Sequence, residues 1–264
     1  IKEYRKKLLQ AKKMINFDCK ISERKFRLMN HQKLVQKYVN INTPYRGILV
    51  YHGLGAGKTC TSIAVAEGMK NINSKIKKKI CVISPASLEK NFIEEIKKCG
   101  DPIYDIKKYK KKIIVNKTNK ILLKAISKIL GIQNYRPFKI KGEQRYEIWL
   151  PTKKLNDIEI NNEEKKYIDK QINIMIRSRY DFIHYNGITE RNYNKKKEKN
   201  IFDHKVVIID EVHNFVNKIS NKMREYSFNP TKLNNQVPYI LYKKLMSAKN
   251  CKLIFLSGTP IINR

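Results

Sequence analysis

At 264 residues the chain exceeds the usual single-domain length, so it has room for one large α/β domain or one domain carrying an insertion. Apolar residues make up 41% of it, enough for a real core, while Lys and Arg outnumber Asp and Glu by 57 to 23. The formal charge of +34 is far beyond what solubility requires and implies a polyanionic partner, most often nucleic acid. Codon bias toward Lys, Asn and Ile together, visible in "KKYKKKIIVNKTNKI", accounts for part of the lysine count without removing the field.

Five cysteines (Cys19, Cys60, Cys81, Cys99 and Cys251) form no CxxC pair and sit mostly in apolar runs. That argues for a reducing compartment and against a disulfide framework or a zinc site. The longest apolar runs, "GILVY" and "KVVIID", are far too short to cross a bilayer, and no secretory signal is visible, so no membrane partner is expected. The chain starts without Met at "IKEYRKK" and stops at "GTPIINR", which makes a fragment of a longer protein the expectation.

Residues 1–27 read as a basic helical extension, with Leu8, Leu9, Ile15 and Phe17 as candidate buried positions. A repeating unit of apolar run, turn and helix follows. "GILVYH" (47–52) reads as a buried strand, then a glycine turn and a helix through "KTCTSIAVAEGMK". "KKICVIS" (78–84) is the next strand. Pro85 punctuates it, Ser87 is placed to cap the helix "LEKNFIEEIKKC", and Gly100 ends that helix. The helix presents Leu88, Phe92, Ile93 and Ile96 toward a core. "YDFIHYN" (180–186), "HKVVIID" (204–210) and "CKLIFLS" (251–257) are three further strands. Uniformly apolar strands alternating with helices predict a mostly parallel sheet covered on both faces. Residues 101–179 break this rhythm and read as a basic insertion, with one hairpin around "KIKGEQRYEIWLP" turning near Gly142 and a helix from Glu163 to Arg179. Its lysine runs read as solvated faces.

"YHGLGAGKTCTS" (51–62) places Gly53, Gly55 and Gly57 between a strand and a helix that begins Lys58–Thr59. Glycines admit torsions closed to other residues and let backbone N–H groups converge on an anion at the helix N-terminus. Lys58 then reaches the β- and γ-phosphates of a nucleotide, and the Thr59 hydroxyl ligates Mg²⁺. The general pattern G-x-x-x-x-G-K-[ST] asks for glycine at position 52, which here is His52. Downstream, "VVIIDEVHNF" sets Asp210 and Glu211 at the end of an apolar strand, where one carboxylate can hold the metal and the other can orient or deprotonate the attacking water.

With these residues in place the sequence resembles the superfamily 2 helicases and translocases. "GLGAGKT", "DEVH" and "SGTP" look like their motifs I, II and III, "ISPASLEKNF" like motif Ia, and His31–Gln32 like the upstream glutamine motif. Within the superfamily the sequence looks most like the chromatin-remodeller-like ATPases of nucleocytoplasmic large DNA viruses, a group that includes the poxvirus early transcription factor small subunit. The resemblance covers roughly residues 28–100 and 180–264. It implies a RecA-like P-loop lobe over 28–264, with ATP and Mg²⁺ as cofactors. Gln32 would read adenine; Gly53, Gly55, Ala56, Gly57, Lys58, Thr59 and Cys60 would hold the nucleotide. Thr59 and Asp210 would hold the metal, and Lys58, Asp210, Glu211 and His213 would serve catalysis. Ser257, Gly258 and Thr259 would couple hydrolysis to nucleic-acid contact, and Ser84, Pro85 and Asn186 would face the nucleic-acid backbone.

The family's working unit has two such lobes, so the resemblance implies a second lobe as partner and slow turnover by residues 1–264 alone. It also implies double-stranded DNA as the favoured partner, transcription-factor or RNA polymerase subunits as further partners, and a virion or host-cytoplasm location. A DExH RNA helicase and a non-catalytic basic scaffold are the alternatives. A GTPase is disfavoured, because "NKTN" (116–119) lacks the Asp of a guanine-reading stretch.

Overall fold

The computed structural model describes residues 27–40, 42–51, 53, 55–69, 80–152, 160–184 and 200–258. Nearly all of the expected basic extension, together with His52, Asn186 and Thr259, lies outside them.

A five-stranded sheet, all parallel, runs in the order β1-β7-β6-β2-β5. Its strands are β1 (Gly47–Tyr51), β2 (Ile80–Ser84), β5 (Tyr180–His184), β6 (Val206–Ile209) and β7 (Lys252–Ser257). Side chains alternate across it with period two. Val50, Val82, Val206, Ile208, Ile254 and Leu256 enter one buried cluster, and Cys81, Ile83, Val207, Ile209 and Leu253 the other. Helices α1 (Asn30–Tyr38), α2 (Lys58–Gly68), α3 (Glu89–Cys99) and α5 (Asn162–Arg179) supply side chains to the first cluster, while α6 (Val212–Glu225) and α8 (Val237–Ser247) supply the second. The expected α/β class with a parallel sheet is therefore observed, its two central strands β2 and β6 buried at every position.

Three local expectations are corrected. β1 is not a buried strand: it lies at the sheet edge, with Leu49 50% and Tyr51 56% exposed on the second face. Ser87 does not cap α3, because Ala86–Leu88 forms a 3-10 turn and Leu88 occupies the cap position without a side-chain hydrogen bond. The predicted hairpin turns at Gly142 (φ +78°), but only the bridge Lys139↔Tyr146 spans it. The main partner of β4 (Arg145–Pro151) is β3 (Tyr109–Asn116), an antiparallel strand from before α4 (Lys120–Leu130).

The described residues of the insertion also contribute to the core. Ile168, Ile172, Met175 and Ile176 of α5 join the first cluster, and Gln171 ties α5 to β4 by accepting from Trp149 N–H at 3.0 Å and donating to Trp149 O at 2.8 Å. Asn161 and Glu164 form a reciprocal cap at the start of α5, which the run "NNEEKK" encodes. A short helix α7 (Pro230–Asn234) links α6 to α8.

Candidate nucleotide site

Because the sheet is parallel, every strand delivers its C-terminal end to one edge. The register makes four of those ends level, with Tyr51 opposite Ser257, Phe255 opposite Ile209 and Ile209 opposite Ile83. The segments leaving these four strands therefore start from one edge of the sheet, the usual ligand position in such sheets.

After β1 comes the glycine loop. Gly55 and Gly57 adopt φ of +78° and +71°, the left-handed region that only glycine enters freely. A Cβ on Gly57 would also lie 2.8 Å from Gln32 Nε2. Gly57 O accepts from Thr61 N (2.9 Å), Thr61 Oγ1 (3.0 Å) and Gln32 Nε2 (3.2 Å), which fixes the start of α2. The first-turn N–H groups of a helix have no intrahelical acceptors, and α2 begins at this edge of the sheet, the arrangement that binds anions. Lys58 Nζ donates to Gly53 O at 3.3 Å. The Lys58 amine also lies 3.6 Å from where a Cβ on Gly258 would sit, so the loop lysine and the residue after β7 are neighbours.

After β6 the chain makes a tight exit. Glu211 takes φ +47°, uncommon for a side chain with a Cβ, and starts α6. Its N–H donates to Asp210 Oδ1 at 3.0 Å, and Asp210 N–H donates to Ile83 O at 2.9 Å. Asp210 is half-buried, and desolvation, followed by the Glu211 charge, pushes its carboxyl up to about 6 against the pull of the Glu211 N–H, Lys58 and His213. Glu211 Oε2 lies 3.3 Å from His213 Nδ1, and the same nitrogen lies 3.3 Å from Ser257 Oγ, where Ser257 is fully buried.

The donor set fits a hydrated divalent cation. Asp210 is a hard oxygen ligand whose charge the protein compensates only in part, and Thr59 follows the loop lysine on the first turn of α2. Thr59 and Asp210 would hold Mg²⁺, which when bound neutralises charge on the phosphates. Glu211, the second carboxylate, is half-buried and engaged with His213.

Other expected residues are placed differently from one another. Gln32 is 1% exposed, and its amide is divided between Met29 N–H (accepted at 2.9 Å) and Gly57 O. It is no surface residue; it braces the glycine loop. Ser84 is fully buried at the end of the central strand β2, so its hydroxyl does not reach the surface, and Pro85 beside it is half-buried. Cys60 is not a free thiol. It is joined in a disulfide to Cys99 at the end of α3, Cα to Cα 5.6 Å, which overturns the expectation of no disulfide. A sequence separation of 39 on two different helices left no spacing pattern to read.

Sequence reasoning also missed three supports. Gln36, one turn after Gln32, donates to Ala64 O at 2.7 Å and clips α1 to α2. Arg179 pairs with Glu67 near the end of α2 and lies 3.7 Å from Asp101, while Tyr180 OH donates to Glu67 Oε1 at 2.7 Å. His184 Nε2 lies 2.7 Å from Glu89 Oε2, and Arg177 pairs with the other oxygen. Each joins residues distant in sequence, so only the i, i+4 spacing of the two glutamines could have been noticed.

The family described as "Type III restriction enzyme, res subunit" matches residues 23–262. A protein of Acanthamoeba polyphaga mimivirus that carries the provisional name ATP-dependent RNA helicase is 29% identical over 247 residues, which is 90% of this chain and 18% of that protein. A second mimivirus protein with the same kind of name is 27% identical over 242 residues, 91% of this chain and 31% of its own length. A provisionally named helicase of Invertebrate iridescent virus 3 is 44% identical over 78 residues, 26% of this chain and 8% of that protein. The chain thus spans less than a third of the curated relatives it matches.

Proposed function

This chain belongs to the type III restriction enzyme res subunit family, with helicase relatives in large DNA viruses, and from that premise we propose that it is the first, ATP-binding lobe of a nucleic-acid-dependent motor. The observation that carries the reading is the meeting of three chain segments at one sheet edge. Lys58 lies beside Gly258, its charge acts on Asp210, and Glu211 and Ser257 share His213.

In this reading the α2 N-terminus and Lys58 grip the triphosphate of ATP, and Asp210 and Thr59 position Mg²⁺. Glu211 takes the proton of the attacking water. A second lobe of the same protein supplies the arginines that stabilise the transferring phosphoryl group, a contribution of about 10³ to 10⁵ in rate. Residues 1–264 alone therefore bind MgATP weakly and turn it over slowly.

The substrate proposed is double-stranded DNA, in viral transcription within the virion or host cytoplasm. Support comes from the +34 charge and from the resemblance of "LSGTPIIN" to the remodeller-like branch. The provisional names of the mimivirus relatives favour RNA as a second reading. ATP hydrolysis by the full-length protein, measured with duplex DNA and with single-stranded RNA, separates the two. Stimulation by RNA alone overturns the DNA reading, and stimulation by neither overturns the motor.

A further inference from the structure

Cys60 directly follows Thr59 on the first turn of α2, and its sulfur is bonded to Cys99, the last residue of α3. One end of this tie is the helix turn that grips the nucleotide. The other belongs to the helix that follows Pro85, with Glu89 at its start engaged by His184 and Arg177. Both cysteines are 6% exposed, and Glu95 stands beside them. Its Oε2 lies 3.3 Å from the Cys60 sulfur and 4.0 Å from the Cys99 sulfur, while its Oε1 pairs with Lys98 at 2.9 Å. Cys81 and Cys251, the other cysteines among the described residues, are buried thiols outside any disulfide.

We infer that the Cys60–Cys99 pair is a thiol–disulfide switch that sets the nucleotide affinity of the adjoining loop, an inference that rests on the reading of Lys58 and Thr59 as the triphosphate grip. A dithiol reductant attacks one sulfur to give a mixed disulfide, and the other leaves as a thiolate that takes up a proton. The second thiol of the reductant then displaces the remaining protein sulfur. The protein gains two electrons and two protons as two thiols, and the reductant becomes a cyclic disulfide.

Both states are satisfied locally, as a switch requires. Oxidised, the covalent tie holds the first turn of α2 against α3. Reduced, the Cys60 thiol has the Glu95 carboxylate within reach as acceptor, so it is not left without a partner while the covalent tie between the two helices is gone. Preorganisation of the anion-binding turn favours binding, so the oxidised form binds nucleotide more tightly. The difference is limited, because Gln32 and Gln36 brace the same loop and helix by hydrogen bonds that do not involve the sulfurs. The same sulfurs and Glu95 could hold a thiophilic cation only as thiolates, so that role is closed while the disulfide stands.

The test uses the full chain equilibrated in buffers of reduced and oxidised dithiothreitol, with alkylation and peptide mapping to report whether Cys60 and Cys99 are joined. Affinity is read with Mg²⁺ and a fluorescent ATP analogue, and backbone hydrogen exchange is followed over residues 57–61. The expected result is an affinity about fivefold weaker on reduction, the order that preorganising one turn supplies, in step with the appearance of both free thiols and faster exchange over 57–61. Cys99→Ser is expected to sit at the weak value in every buffer. The inference is overturned if the pair is never joined in oxidising buffer, if its reduction changes neither affinity nor exchange, or if Cys99→Ser responds to redox buffer as the unaltered chain does. Should Lys58→Ala bind the analogue as tightly as the parent, the nucleotide reading fails instead, and the exchange over 57–61 still shows whether the turn responds to the disulfide.

Discussion

The Ser257 hydroxyl lies 3.3 Å from Nδ1 of His213, the same nitrogen that lies 3.3 Å from the Glu211 carboxylate. One ring nitrogen thus has two polar neighbours, one in the turn after β6 and one at the end of β7. A proton on Nδ1 can be directed to the carboxylate or to the hydroxyl, and whichever is engaged biases the position of the other. Ser257→Ala removes one of the two choices. In the full-length protein it is expected to leave MgATP affinity within about twofold and to cut nucleic-acid stimulation of hydrolysis about tenfold, a typical coupling factor. Unchanged stimulation would exclude the relay.

Lys58 and Glu211 are assigned different steps, so their substitutions should fail differently. Lys58→Ala takes away a charge-assisted contact to the phosphates and is expected to weaken MgATP binding by about tenfold to a hundredfold. Glu211→Gln keeps the size and the left-handed turn at φ +47° but loses the base. Binding should persist while hydrolysis falls by about 10² to 10⁴. Equilibrium binding and single-turnover hydrolysis distinguish the two outcomes, and equal loss of binding by both variants would refute the division of labour.

Gln32 braces the loop in this structure, whereas the family resemblance assigns it to adenine. Gln32→Ala deletes two hydrogen bonds at a buried site, to Met29 N–H and Gly57 O, and is expected to destabilise the fold by about 1–2 kcal/mol. A brace alone predicts that affinities for ATP, GTP and inorganic triphosphate fall together. If only the preference for ATP over GTP is lost, the residue reads the base and exchanges its loop contacts for it.

The central strands were legible because β2 and β6 are buried on both faces, which forces the uninterrupted runs "ICVIS" and "VVII". The glycine loop and the Asp210–Glu211 turn were legible because their chemistry admits few residue types. β3 was hidden for the opposite reason: within "YKKKIIVN" the fully buried positions Tyr109 and Val115 stand among lysines, and the strand reads as a solvated run. Its partner β4 was found, but paired to the wrong neighbour, since local turn chemistry at Gly142 does not reveal a strand that arrives from before α4. The Cys60–Cys99 bond and the Arg179–Glu67 pair escaped because each depends on how two helices or a helix and a strand end approach, which no spacing encodes.

Asp210 makes the proposed cation preference measurable without any nucleotide. Its carboxyl titrates near pH 6 in the folded chain, chiefly through desolvation, against an ordinary value of 3.8. Between these values the folded state holds more protons than the unfolded one, so this group's contribution to stability declines as pH rises from about 4 to about 6 and stays lost above that. The penalty at neutral pH is on the order of 2 kcal/mol once residual solvent around the group is allowed for. Asp210→Asn removes the charge while its side-chain oxygen can still accept from Glu211 N–H. The nucleotide-free variant is therefore expected to melt several degrees above the parent at pH 7.5, with the gap closing near pH 4 where the parent carboxyl is protonated in both states. Added Mg²⁺ and ATP should raise the melting temperature of the parent and not that of the variant, and the parent's gain should shrink below pH 6 as a proton competes for the carboxylate. A variant no more stable than its parent at pH 7.5 would mean that the half-buried carboxylate is already fully compensated by the protein, and the case for a metal at Asp210 would lose its physical basis.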